Sequence, residues 1–257
     1  LTEAALRATL GLGISGSSAL LQHLTLVVGM LGGAVAARDD RLLSLSTAQL
    51  FLKGRTRAAA RTFAYGVATA ITALLAVAAV QFVATEKEGG KILAYGIPVW
   101  VAQSVLPLGF GAVAARLLWQ AGETWKGRLA TALVAAAFIG LGLHPPLPPA
   151  QLVTPALVLL VAATALGAPV FVTLGGAAVI LFWGDQLPIA SIPLDHYRQV
   201  VNPYIPTVPL FTLAGYFLAE GGASQRLIRV FQALFGWFRG GPAIVTALVC
   251  AFFTTFT

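Results

Sequence analysis

Residues 209–257 read PLFTLAGYFLAEGGASQRLIRVFQALFGWFRGGPAIVTALVCAFFTTFT. The order is an apolar helix, a break at Gly221-Gly222, a basic amphipathic helix, a second break at Gly240-Gly241 and a second apolar run. A simple bilayer anchor has no need of interruption. Breaks in apolar helices at membrane depth free backbone carbonyls and amides that can hold ions and solutes. The stretch reads as part of a membrane transporter.

The remaining sequence has the same character. Its 257 residues are 58% hydrophobic and only 10% charged, against about 25% charged in soluble globular chains, and the mean hydropathy is +0.86. The chain is therefore an integral membrane protein. A spanning helix needs about 20 mostly apolar residues, which leaves room for roughly six to eight passes and no large soluble domain. Any solute-capture domain must be a separate polypeptide. The formal charge of +7 does not indicate nucleic acid, because the basic residues sit in short loops between apolar segments and form no aromatic-interleaved patch. Cys250 stands alone in an apolar run, which excludes an intrachain disulfide and fits a small packing residue. The chain opens on Leu1 and its last apolar segment stops without a cap or charged flank, so both ends read as truncated.

Apolar segments run over 17–38, 62–84, 92–118, 129–143, 152–166, 170–183, 203–219 and 243–257. Arg38, Arg41, Lys53, Arg55, Arg57 and Arg61 cluster between the first two, which makes that loop cytoplasmic by the positive-inside rule. Mixed apolar and polar residues between Arg41 and Arg61 fit a short helix lying in the inner interface. The charge-balanced Glu86, Lys87, Glu88 and Lys91 then face outward, and Arg116, Lys126 and Arg128 inward. Four prolines in His144-Pro145-Pro146-Leu147-Pro148-Pro149 form a stiff outer connector. As one helix, 152–183 would rise about 48 Å against a hydrocarbon core of about 30 Å, so two short passes turning at Gly167-Pro169 fit better. With that turn the loops 85–91, 144–151 and 184–199 face outward and 220–241 inward. Twelve of the sixteen Lys and Arg are then cytoplasmic.

Several residues are candidates for function. Asn202, Pro203, Pro206, Pro209 and Gly215 occupy one helix entry, which serves either as a loop-to-helix transition or as a hinge between a fixed scaffold and a moving unit. Thr254, Thr255 and Thr257 offer hydroxyls and carbonyls suited to Na⁺ or a carboxylate, although threonine also bonds back to its own helix. Asp185, Asp195, His196 and Arg198, with Tyr197, form a polar and aromatic outer loop suited to a transient protein interface. Gly29 and Gly33 stand at the spacing that admits a close neighbouring helix. His23, near the outer end of the same segment, reads as a hydrogen-bonded interface residue. Gly13-Ile14-Ser15-Gly16 matches the GxSG of intramembrane serine proteases, but His144 and His196 lie in outer loops and do not face it, so the chain is not read as an enzyme.

The closing stretch also resembles the start of the large, DctM-like membrane subunit of the tripartite ATP-independent periplasmic (TRAP) transporters. The likeness rests on Pro209-Leu210-Phe211 with Ala214-Gly215, Gly221-Gly222, Arg226-Leu227, Gly236, Gly240-Gly241 and Cys250 to Thr257. Residues 1–121 resemble the small, DctQ-like subunit through Arg7, Gly32-Gly33-Ala34-Val35-Ala36-Ala37-Arg38, the basic interfacial stretch, Pro98 and Pro107-Leu108-Gly109. The family's small subunit has four helices, and here the first is only a stub, Leu1 to Leu12. The polar GETWKGR at 122–128 marks a fusion joint. The expected organisation is a small-subunit domain over 1–121, a linker with one added membrane helix over 122–150, and the amino-terminal part of the large subunit over 151–257.

The resemblance implies an all-α, polytopic, elevator-type transporter in the cytoplasmic (inner) membrane of a bacterium or archaeon. In it a small-subunit helical brace precedes scaffold helices and a re-entrant hairpin that begins at the terminal threonines. It further implies Na⁺ as coupling ion with no bound cofactor, small organic acids as substrates, carboxylates or sialic-acid-like, and delivery by a periplasmic substrate-binding protein. Membrane lipids surround it, and nucleic acid is no partner. The alternative from another class is a non-transporting membrane scaffold.

Overall fold

The computed structural model describes residues 16–45, 52–122, 124–235, 237 and 240–254. The chain divides into two compact units, one up to Val201 and one from Asn202, each described by itself.

The first unit is built around one long helix. Helix α1 (Ser17–Arg38) is followed by α2 (Gly54–Glu88), a hairpin of β1 (Ile92–Ala94) and β2 (Ile97–Pro98), and helices α3 (Val99–Gln103) and α4 (Val105–Gln120). Then come α5 (Trp125–Leu143), α6 (Pro149–Ala165), α7 (Val170–Gly184) and α8 (Ser191–Val200). The 35 residues of α2 rise about 52 Å, more than a bilayer's hydrocarbon core of about 30 Å, so its charged ends reach past the apolar layer. It packs against α4, α5, α6, α7 and α8. The sequence explains why. Ala64, Gly66, Ala68, Ala70, Ala78 and Ala79 leave every side of α2 narrow, and in lipid small residues are what let helices approach closely. A Cβ on Gly66 would fall 2.5 Å from Val134 Cγ1 of α5, so only glycine admits that contact. By contrast α1 carries Leu24, Val28 and Leu31 on an exposed apolar face, as a helix bordered by lipid should.

The helix ends sort into two sets. At one end Arg61 donates to the Gln120 carbonyl (2.6 Å), the Gln120 amide donates to the Ala37 carbonyl (2.7 Å), and the Arg128 guanidinium lies 4.0 Å over the Trp119 ring. The α6–α7 turn joins residues 43–44, with Val170 N–H donating to the Leu43 carbonyl at 2.8 Å. At the other end Lys87 lies over Trp100, Lys91 pairs with Glu86 at 3.1 Å, and Trp183 donates to the Gly142 carbonyl at 2.9 Å. Loops that the charge pattern assigns to one side of the membrane thus meet one another.

Four helical stretches are long and apolar enough to cross a membrane: Ser17–Arg38, Gly54–Glu88, Val99–Gln120 and Trp125–Leu143. Four more apolar helices are shorter, so part of the expected six to eight passes falls below spanning length. The chain is nonetheless an all-α polytopic membrane protein. The split of 152–183 is present: α6 ends at Ala165, Gly167 takes φ 100°, and α7 starts at Val170.

Other expectations are corrected. Residues 92–98 are a hairpin, not the start of a helix, because Tyr95 and Gly96 both adopt positive φ (52° and 78°), the pair a two-residue primed turn requires. The basic residues Arg55, Arg57 and Arg61 lie on the first turns of α2, not in a loop. The interfacial helix expected between Arg41 and Arg61 falls partly on 46–51, outside the described residues. A Cβ added on Gly29 or Gly33 would meet nothing within 4 Å among the described residues; the close approach between α1 and α4 instead sets Met30 against Gly109. Gly109 lacks the paired spacing that drew attention to Gly29 and Gly33.

The second unit holds a 3₁₀ turn (Ile205–Thr207), α9 (Val208–Glu220), α10 (Ala223–Phe235) and α11 (Gly241–Thr254). Helix α10 packs on both α9 and α11, and Gly222 and Gly240, at φ 70° and 94°, turn the chain between them.

Candidate functional site

Three places were singled out by sequence, and the structure gives each a different geometry. The outer segment 184–199 is not simply a loop. Asp185 caps the end of α7 and is exposed. Asp195, His196 and Arg198 lie on α8, whose Pro193 sits in the first turn, where a missing N–H costs nothing. Asp195 and Arg198 form an exposed ion pair at 3.6 Å. The opposite side of α8 packs into the first unit: Leu194, Tyr197 and Val200 join the cluster of Leu26, Phe82, Val105 and Leu106.

The anchor is Tyr197, with His23. His23 is 6% exposed. Its Nδ1 lies 2.7 Å from the Ala19 carbonyl, which can only accept, so Nδ1 carries the proton. Nε2 then accepts from the Tyr197 hydroxyl at 2.8 Å. His23 is thus the hydrogen-bonded interface residue expected, but the partner 174 positions away was not legible. Burial raises the Tyr197 pKa, opposed by the Gln103 side chain beside it and joined by a smaller upward push from the Glu86 carboxylate. His196 sets its ring 6.1 Å from that of Phe110, and desolvation lowers its pKa although the residue as a whole is exposed. Gln103 is fully buried on α3, with its side chain close enough to Tyr197 to act on that phenol, although among the described residues neither its amide nitrogen nor its oxygen completes a hydrogen bond of good geometry.

At the helix entry, the boundary between the two units falls between Val201 and Asn202. Asn202 Oδ1 accepts from Tyr204 N–H at 3.0 Å, an Asx turn. Pro203 precedes the 3₁₀ turn, Pro206 lies within it, and Pro209 sits in the first turn of α9. The helix therefore starts at Val208 instead of 203; Pro203 and Pro206 precede it, and Pro209 lies in its first turn, so none of them breaks it. Gly215 is buried within α9.

At the carboxyl end, Thr254 donates to the Cys250 carbonyl at 2.7 Å, the local back-bond open to any helical threonine. Thr255 and Thr257 lie outside the described residues, as does most of the GxSG stretch.

Comparison with known proteins resolves what this geometry belongs to. Residues 1–127 match the family described as tripartite ATP-independent periplasmic transporters, DctQ component, and residues 157–257 match the DctM component of the same transporters. The chain belongs to the TRAP transporters. It joins small- and large-subunit membrane parts, with α5 lying almost wholly between the two matches. The isethionate TRAP transporter permease protein DctMQ of Oleidesulfovibrio alaskensis is 30% identical over 171 residues, 61% of this chain and 25% of that protein. The C4-dicarboxylate TRAP transporter large permease proteins DctM of Vibrio cholerae and Rhodobacter capsulatus are 32% and 33% identical over 98 and 96 residues, each 37% of this chain and 22% of the relative. The chain thus spans about a quarter of the length of these relatives. They are permease components and not enzymes.

Proposed function

We propose that this chain is the brace and first scaffold part of a sodium-coupled importer of small organic acids. The observation that carries the reading is the packing of α2. This helix lies in the DctQ-matching part, and α6 and α7, which lie mainly or wholly in the DctM-matching part, both pack on it. A small-subunit helix that is the common support for large-subunit helices acts as a bilayer-fixed brace. The first two relatives carry C4-dicarboxylate and isethionate in their names, both small organic anions, and we take a carboxylate or sulfonate of that size as the substrate class.

In this reading a soluble periplasmic binding protein delivers the anion to the outer face, where α8 presents Asp195, His196 and Arg198 and the end of α7 presents Asp185. Asn202 to Pro209 form the hinge, and the position of the unit boundary supports it. Thr254, Thr255 and Thr257 belong to a re-entrant arm that supports a Na⁺ site, the described Thr254 geometry being compatible with an ordinary helix as well. The membrane is the bacterial inner membrane.

The test is uptake by the full-length transporter reconstituted in liposomes with its binding protein. Uptake of a radiolabelled dicarboxylate or isethionate is expected to need an inward Na⁺ gradient and to fail when K⁺ replaces Na⁺. A non-transporting scaffold would give no gradient-dependent uptake with any ligand the binding protein holds.

A further inference from the structure

Helix α8 is ten residues long, and its two sides differ in chemistry. Leu194 and Val200 pack on the cluster of Leu26, Phe82, Val105 and Leu106, whereas Asp195, His196, Arg198 and Gln199 are exposed. Apolar packing of this kind has no direction. It would hold α8 against the first unit but leave the helix's rotation about its own axis loosely set. A helix with its side chains is about 5–6 Å in radius, so a rotation of about 30° carries a surface group through about 3 Å. Leu194 and Val200 would stay in apolar surroundings after such a rotation. A charged group displaced that far from a bonding partner would lose the hydrogen bond outright.

One contact does have a direction. The Tyr197 hydroxyl donates to His23 Nε2 at 2.8 Å, and His23 is oriented in turn by its Nδ1–H, which donates to the Ala19 carbonyl at 2.7 Å. With that nitrogen committed as donor, the neutral imidazole offers a single acceptor. The phenol is further confined by the His23 and Phe82 rings, 5.7 and 5.8 Å from its own, and by the fully buried Gln103 beside it. His23 and Gln103 belong to the DctQ-matching part and Tyr197 to the DctM-matching part. A satisfied polar contact inside an apolar cluster selects one arrangement among those that apolar packing alone would allow.

We propose that Tyr197 is a positioning residue for docking of the binding protein: through His23 the small-subunit half fixes the rotation of α8 and so aims Asp195 and Arg198 at the partner. This rests on the function proposed above, in which the exposed side of α8 meets that protein. The small-subunit half then has a task beyond bracing, because it sets the affinity of an encounter whose charged residues belong to the large-subunit half.

The test measures binding of the loaded binding protein to the full-length transporter in nanodiscs, and uptake in liposomes as the binding-protein concentration is varied. Tyr197→Phe keeps the ring and removes only the hydroxyl. Its Kd for the binding protein should rise about three- to tenfold, the range that one lost hydrogen bond allows. The concentration for half-maximal uptake should rise by the same factor, and uptake should recover as more binding protein is added. His23→Leu should behave like Tyr197→Phe, whereas His23→Gln, whose amide oxygen can replace Nε2 as acceptor, should stay close to the parent. Parent-like affinity in both Tyr197→Phe and His23→Leu would overturn the proposal while leaving the functional reading intact. So would a fall in plateau uptake without a shift in half-saturation, which is the mark of a merely structural residue. A parent that does not bind the loaded protein would overturn the functional reading and this inference with it.

Discussion

Tyr197 and His23 form a contact whose two residues lie 174 positions apart, and its strength can be measured. Tyr197→Phe removes one buried hydrogen bond and leaves Nε2 unpaired, at a cost of about 1–3 kcal/mol. Cysteine placed at position 194 should then react faster with a maleimide, while the parent stays slow. His196 adds a pH dependence of definite sign. Its folded pKa is lowered by burial, so the packing it supports is complete above its ordinary pKa of about 6.5. That support is lost as pH falls through the lower folded value. Maleimide reacts with the thiolate, whose fraction itself falls with pH, so the rate at position 194 is divided by that of the same cysteine in unfolded protein; this ratio is expected to rise as pH drops below about 6.5, and His196→Phe should flatten it. Gln103 gives a sharper contrast, since its amide is buried beside Tyr197 without a hydrogen bond of good geometry among the described residues. Gln103→Leu should leave melting temperature unchanged or raise it, because removing an unsatisfied buried polar group relieves a cost. A drop of several degrees would mean that the amide is satisfied, by the Tyr197 hydroxyl or by water.

Among the elements, apolar runs were legible where length alone decides, as at 17–38, where segment and helix coincide. The start of α2 at Gly54 was not, because Arg55, Arg57 and Arg61 look like loop residues until a long helix carries them beyond the apolar layer. Helix α8 was hidden by Pro193 and its charges, and the hairpin at 92–98 by its apolar composition, although Tyr95-Gly96 was the readable turn signal. Helix packing was the least legible, because which glycine seats which neighbour depends on side chains far away in sequence. Gly66→Leu should therefore disrupt the α2–α5 contact through overpacking against Val134, at about 1–3 kcal/mol or more, while Gly29→Ala, with open space around it, should be neutral. Thermal unfolding of the two variants checks both. Sidedness is tested by cysteines at positions 147 and 55: the first should label from outside intact cells, the second only after permeabilisation.

For the whole molecule, family membership was legible from the Gly-punctuated carboxyl stretch because glycine breaks are local. The supporting role of α2 was not, since it depends on which helices gather round it. The three candidate sites differ in standing for a physical reason too: α8 is held by a named hydrogen bond, whereas Thr255 and Thr257 fall outside the described residues. In the complete transporter Thr255→Val or Thr257→Val is expected to raise the Na⁺ concentration for half-maximal uptake; unchanged Na⁺ dependence in both would make them packing residues.

The central claim, that α2 is a fixed brace for the large-subunit helices, has a direct test in locking it to one of them. Leu75 of α2 lies against Gly175 of α7, close enough that a Cβ on the glycine would be 2.9 Å from the leucine Cδ1. In a cysteine-free full-length transporter, with Cys250→Ala among the changes, Leu75→Cys and Gly175→Cys would be bridged by mercuric ion and Na⁺-driven uptake measured before and after. The account predicts that uptake persists in the bridged protein, because a brace and its scaffold do not move against each other. Loss of uptake on bridging, restored by excess thiol, would show that α7 travels along α2 during transport and would contradict it.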